Sequence, residues 1–282
     1  MNIKAADVKK LRDMTGAGML DCKKALVESE GDFKQAVKKL KELGLAAAAK
    51  RSGRATNNGR VFTRVTDTRA AILELVCETD FVARNKDFIA LGDALLDVVL
   101  EEDIREPNER LNGMVNDLIS TIKENMALKS LKVLDIADNE LVADYVHGEG
   151  AIGVLVKLRA DDAAALSEEA VRTFLFDCAL HIAAFNPAYL SRELVDAEYI
   201  AEQQDIFAKQ VAALGKPANV VENIVKGKLN KHFSEICFLE QPFVKDDKNS
   251  VEKVMQDIAK QAGTKLSIVD YNYTKVGAGS DE

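Results

Sequence analysis

One unit occurs twice in this chain: two short runs rich in β-branched residues joined by a tight turn, then an amphipathic helical stretch. This repetition constrains the fold more than any other feature. In the first copy, Val61–Val65 and Ala70–Cys77 flank a polar turn at Thr66–Arg69 and lead into a helix expected from about Phe81 to Leu100. In the second, Val142–His147, a glycine-rich turn and Ile152–Leu158 lead into a helix expected from about Glu168 to Phe185. Hairpin plus helix, twice, reads as an internal duplication and places the chain in the α+β class.

The rest of the chain is arranged around these copies. Residues 4–44 read as three short helices with stripes at three-to-four spacing: Val8, Leu11 and Met14; then Met19, Cys22 and Leu26; then Phe33, Val37, Leu40 and Leu43. Asp32, after Gly31, is placed to cap the third. The pattern is that of a compact bundle similar to ubiquitin-associated domains. Residues 44–60 lose the periodicity, and a flexible connection is expected there. Between the copies, Leu111–Met126 reads as a helix with Met114, Val115, Leu118, Ile119 and Ile122 on one side. Val195–His232 reads as two helices broken at Gly215-Lys216-Pro217, a protruding antiparallel helical hairpin. Glu235–Val244, Val251–Ala262 and Lys265–Tyr273 then read as strand, helix and strand completing the second copy's sheet. The expected division is 1–54 for the bundle and linker, 55–140 for the first core half, and 141–194 with 234–275 for the second. Residues 195–233 form the helical insertion, and 276–282 a disordered tail.

With 282 residues, 47% of them hydrophobic, the chain can bury a sizeable core. No run approaches the roughly 18 apolar residues of a membrane span, and no apolar or Arg-rich leader precedes the first helix, so a cytoplasmic location is expected. Cys22, Cys77, Cys178 and Cys237 stand singly within apolar patterns, which suits buried fillers better than disulfides or metal ligands. The net charge of −8 is uneven. Residues 1–54 hold thirteen Lys and Arg against seven Asp and Glu, leaving 25 against 39 for the remainder. A basic module on an acidic body suits either nucleic acid or an acidic protein surface.

Little in the chain points to covalent chemistry. Gly148-Glu149-Gly150-Ala151-Ile152-Gly153 matches a dinucleotide-binding glycine pattern, but that pattern requires a helix to follow, and here Val154–Leu158 reads as a strand. No phosphate-loop pattern occurs, so no nucleotide or other cofactor is expected. His147, His181 and His232 are far apart in sequence. His181 lies on an apolar helix and suits a core or rim position. His147 stands at a strand end beside the Gly148 turn, where it suits either partner contact or plain turn polarity. Thr79 and Asp80 are placed to cap the following helix; Phe81 either opens the buried stripe Phe88, Leu91, Leu95 or faces outward.

Two long motifs carry a resemblance: Cys77-Glu78-Thr79-Asp80-Phe81-Val82-Ala83-Arg84, and Leu11–Leu26 with its Thr15-Gly16-Ala17-Gly18 turn. Together they are similar to the translation elongation factor Ts family, in one register from about Asp7 to Phe243. The resemblance implies a nucleotide exchange factor, not an enzyme, whose partner is the GTPase elongation factor Tu. It implies that Thr79, Asp80, Phe81 and Val82, with His147 and Gly148, approach the partner's magnesium and nucleotide region. Arg12, Met19, Leu20 and Lys23 would grip its nucleotide domain, and Ile122, Asn125 and Met126 would lie near its core. Leu20 departs from the methionine often found there, and Phe185 stands at a place usually small. Many members continue into a further helix where this chain stops soon after Tyr273. Self-association through the helical hairpin stays open. So do an interaction scaffold without exchange activity, a nucleic-acid binder using the basic N-terminus, and a metabolic enzyme.

Overall fold

The computed structural model describes residues 3–212 and 217–278. Three helices come first: α1 (Ala5–Thr15), α2 (Met19–Glu28) and α3 (Phe33–Arg51). Val8, Leu11, Cys22, Ala25, Leu26, Ala36 and Leu40 meet in their common core. Gly16 ends α1 in the left-handed region, and Asp32 caps α3 by accepting the Gln35 N–H.

The flexible connection expected at 44–60 is corrected: α3 runs on to Arg51. Gly44, read as a breaker, lies inside that helix because a neighbouring helix passes close by. A Cβ there would stand 2.0 Å from the Ser120 hydroxyl. The remaining link is tied down, since Asn125 Nδ2 donates to the carbonyls of Ser52 and Arg54.

The first half of the body follows as β1 (Asn58–Val65), β2 (Arg69–Cys77), α4 (Asp80–Ala83), α5 (Lys86–Glu101), α6 (Glu109–Ile122) and β3 (Met126–Asp135). The single helix expected from Phe81 is two, because the Asn85 side chain caps a fresh start by accepting the Asp87 N–H. Likewise α6 ends at Ile122, with Lys123 left-handed at φ 68°, and frees Met126 to begin a strand that the periodicity did not reveal.

The second half is β4 (Glu140–His147), β5 (Ile152–Ala160), α7 (Glu169–Phe185), α8 (Ala197–Ala212) and α9 (Ala218–Ile236). It closes with β6 (Pro242–Phe243), β7 (Asp246–Ser250), α10 (Val251–Gln261) and β8 (Leu266–Lys275). Glu235–Val244 is not a strand of the main sheet: α9 extends through Ile236, Cys237 makes an isolated bridge to Tyr189, and Pro242–Phe243 pairs with β7. Of the turn expected at Gly215-Lys216-Pro217, Gly215 and Lys216 lie outside the described residues. Tyr199 meets His232, and Gln210 meets Lys228, so α8 and α9 run antiparallel.

The two sheets repeat one another in detail. Their orders are β1-β2-β3 and β4-β5-β8, both wholly antiparallel. Corresponding strands have 8, 9 and 10 residues in both. The pairing shifts after the sixth residue of the central strand in each, between Glu74 and Leu75 and between Lys157 and Leu158. The α8–α9 pair thus occupies, in the second half, the place of the short link between α5 and α6 in the first.

The sheets lie face to face with helices outside, so their central strands are buried on both faces. In β2, Ala71, Leu73 and Leu75 face α5 and α6, while Ala70 and Ile72 face the other sheet. In β5, Val154, Val156 and Leu158 face α7, and Leu155 faces β2's sheet. All four cysteines are buried free thiols. Residues 276–278, expected to begin a disordered tail, are instead pinned where β8 leaves the sheets. Val276 N–H donates to the Ala151 carbonyl, and Gly277 N–H to the buried Glu74 carboxylate. Residues 279–282 lie outside the described residues.

His181 belongs to the second core. Its Nδ1 accepts the Val244 N–H at 3.2 Å, so Nε2 carries the proton and donates to Gln241 Oε1 at 2.8 Å. Burial holds its pKa below the ordinary value of 6.5, with the Gln241 bond a smaller opposing influence. The unfolded chain therefore binds the extra proton first, and stability falls as pH drops below about 6.5. We expect urea unfolding to show lower stability at pH 5.5 than at pH 7.5, a loss that His181→Gln removes; an identical loss in that variant would contradict the assignment. Glu140, held low despite its burial by Arg159, the Ala137 N–H and Lys157, contributes its own loss only below about pH 4.5.

Candidate functional site

Where β2 ends, Glu78 and Thr79 turn the chain into α4, a single helical turn held from three directions. Thr79 Oγ1 caps it by accepting the Val82 N–H at 3.4 Å. The Thr79 N–H and hydroxyl donate to Glu124, at 3.1 and 2.9 Å. Glu78 accepts the Asn125 N–H at 2.6 Å and pairs with Arg54, contacts that hold its carboxyl below the ordinary carboxylate value. Val82 and Ala83 are buried in the first core. The opposite side of the turn is open: Asp80 is exposed, and the Phe81 ring is 82% exposed. A whole aromatic ring on so firmly fixed a turn is apolar area available for burial by another molecule. Cys77 just behind is no nucleophile, since burial and the nearby Glu124 carboxylate push its thiol up to about 12.

The glycine turn between β4 and β5 lies beside α4. Gly148, Glu149 and Gly150 have φ of 60°, 56° and 95°, three successive left-handed residues. This geometry presents the Glu149 carboxylate between Arg60, at 3.7 Å, and Arg84, at 3.8 Å; Arg84 also lies 3.9 Å from Asp80. Exposed pairs of this kind add little stability, but they run in one chain from the tip of α4 to the turn. Thr79–Val82 and His147–Gly148, far apart in sequence, thus form one surface on which Asp80, Phe81, His147 and Gly148 are exposed. The glycines make a strand-to-strand turn, as the sequence context required of them.

A second surface lies on the first three helices. Leu20 is 82% exposed and Met19 43%, with Arg12 and Lys23 exposed near them. These helices dock on α6: a Cβ on Gly16 would come within 3.1 Å of Thr121, and Lys123 pairs with Asp21 at 3.5 Å. Lys123 and Glu124 are neighbours in the chain, one holding the start of α2 and the other the cap of α4.

The third group is placed differently from its expected role. Met126 is buried in the first core, Ile122 packs partly against it, and Asn125 is buried with its amide turned to the chain at 52–54. These residues support the surface and do not line it. The supports that the sequence reading missed are Arg84, Glu124 and Glu149. Arg84 stands four residues after Asp80, a spacing that advertises a helical ion pair. Glu124 and Glu149 carry no local signal, because their partners, Thr79, Arg60 and Arg84, lie more than forty residues away in the chain. Among the described residues, no three His, Cys, Asp or Glu side chains are grouped as metal ligands, and no helix is long and apolar enough to cross a membrane.

Comparison with known proteins supplies the family. The sequence profile of the family Elongation factor TS matches residues 78–278, which includes α4, the glycine turn and both sheets from the end of β2 onward. Elongation factor Ts of Treponema denticola is 48% identical over 279 residues, covering 99% of this chain and 100% of its own. That of Borrelia recurrentis is 47% identical over 280 residues, covering 98% and 100%; that of Treponema pallidum is 47% identical over 277 residues, covering 94% and 96%. On matches that span it from the first helices to the last strand, the chain belongs to the elongation factor Ts family of translation elongation factors.

Proposed function

We propose that this protein is a guanine-nucleotide exchange factor of the cytoplasm that binds elongation factor Tu carrying GDP and promotes release of the GDP. The observation that carries the reading is the exposed Phe81 ring on a turn fixed by Glu124, Glu78 and the first core. In this mechanism Phe81 is buried in an apolar site on the GTPase, next to its magnesium, while Asp80 places a negative charge where the phosphates and the ion are held. His147 and Gly148 approach from the adjoining turn. Arg12, Met19, Leu20 and Lys23, on helices of the ubiquitin-associated kind, anchor the partner's nucleotide domain. The α8–α9 pair projects as a helical hairpin.

No covalent step is needed. The protein accelerates release by binding the nucleotide-free GTPase better than the loaded one, and the coupling is reciprocal. An advantage of about 10⁴-fold requires roughly 5.5 kcal/mol of differential binding. Burial of one Phe supplies about 1.5–3 kcal/mol. Phe81 therefore acts within a distributed interface, with the N-terminal surface contributing anchorage and the α4 and glycine-turn surface contributing distortion.

The test is release of a fluorescent GDP analogue from elongation factor Tu, chased with unlabelled GDP, with and without catalytic amounts of this protein. Strong acceleration is expected. Binding without acceleration would make the protein a scaffold, and absence of binding would overturn the reading altogether.

A further inference from the structure

Tyr145 and His147 are two residues apart on β4 and so project from the same face of the strand. The Tyr145 hydroxyl lies 3.0 Å from His147 Nδ1, and the two rings are 6.0 Å apart between centroids. Tyr145 is in turn packed edge-on against Phe176 of α7, at 6.1 Å and 88°. The tyrosine ring is thus fixed by the helix behind it, and the histidine ring is held by the tyrosine. His147 itself is exposed, next to Gly148.

A phenol is the stronger proton donor of this pair and a neutral imidazole nitrogen the stronger acceptor, so the hydroxyl donates to Nδ1. That bond places the remaining proton on Nε2, because which ring nitrogen is protonated follows from the bond the other one makes. The Nε2–H then points away from Tyr145. We propose that Tyr145 is a positioning residue for exchange. It fixes the tautomer and ring angle of His147, so that Nε2–H is presented as a hydrogen-bond donor to an oxygen acceptor on the GTPase, a backbone carbonyl or a carboxylate.

This proposal rests on the exchange reading above, and its test separates the two. Tyr145→Phe keeps the ring packed on Phe176 and removes only the hydroxyl. Its maximal rate of GDP release should fall about three- to tenfold, the worth of one oriented hydrogen bond, with the half-saturating concentration of elongation factor Tu little changed. Nitrogen-15 spectra of the imidazoles should show His147 of the parent protein mainly as the Nε2–H tautomer, and a mixture in the variant. In a His147→Ala background, adding Tyr145→Phe should have no further effect on rate. An unchanged rate, an unchanged tautomer signal, or an equal loss without His147 would each overturn the proposal. If the parent protein fails to accelerate release at all, the exchange reading fails instead, and the spectra still decide whether Tyr145 fixes the tautomer.

Discussion

Phe81→Ala should slow catalysed GDP release by roughly ten- to a hundredfold, the kinetic equivalent of losing the burial of one phenyl ring. Its melting curve should barely move. The ring is 82% exposed, so the folded state loses few contacts; substitutions at such positions change stability by about 0.5 kcal/mol or less. The turn beneath it keeps its cap at Thr79 and its buried side at Val82 and Ala83. Affinity for elongation factor Tu should fall less than the rate, because the N-terminal surface around Leu20 still holds the partner. Equal losses of rate and affinity would show that Phe81 is an anchor and not the group that distorts the nucleotide site.

Gly153→Val should cost about 3 kcal/mol of unfolding free energy, at the high end for overpacking a close-packed interior. Gly153 lies on β5 where the two sheets approach, and a Cβ there would stand 2.3 Å from Val61 Cγ1 and 3.1 Å from Ile72 Cδ1. Val61 and Ile72 are 2% and 1% exposed. Both are β-branched and have nowhere to turn. The added atoms force the sheets apart, and Val61→Ala in the same chain should recover part of the loss. Urea unfolding measures both; a cost below about 0.5 kcal/mol would mean that the sheets separate easily.

What could be read from the residues follows from how local the cause was. The hairpins were legible because β2 and β5 are mostly apolar, with Ile and Val among their residues, and burial on both faces leaves little polar alternation to confuse the pattern. β3 was not, because the apolar stripe of α6 reads straight on to Met126, and the left-handed residue that ends the helix is Lys123, a type that marks no stop. Gly44 was read as a linker residue on its intrinsic preference, whereas its reason is the Ser120 hydroxyl on another helix. The same division holds at the site. Thr79, Asp80 and Phe81 announce a capped turn in their own sequence. That this turn lies beside His147 and Gly148 was implied only by family resemblance, and the Glu124 and Glu149 carboxylates that hold it there answer to partners contributed by distant strands and helices.

The most direct test of the central claim is the affinity of this protein for nucleotide-free and for GDP-loaded elongation factor Tu, measured side by side by titration calorimetry. Binding to the nucleotide-free form should be tighter by orders of magnitude, and GDP affinity should weaken by the same factor when this protein is bound. Equal affinity for the two forms would contradict the account, since a ligand that does not distinguish two states cannot shift the balance between them.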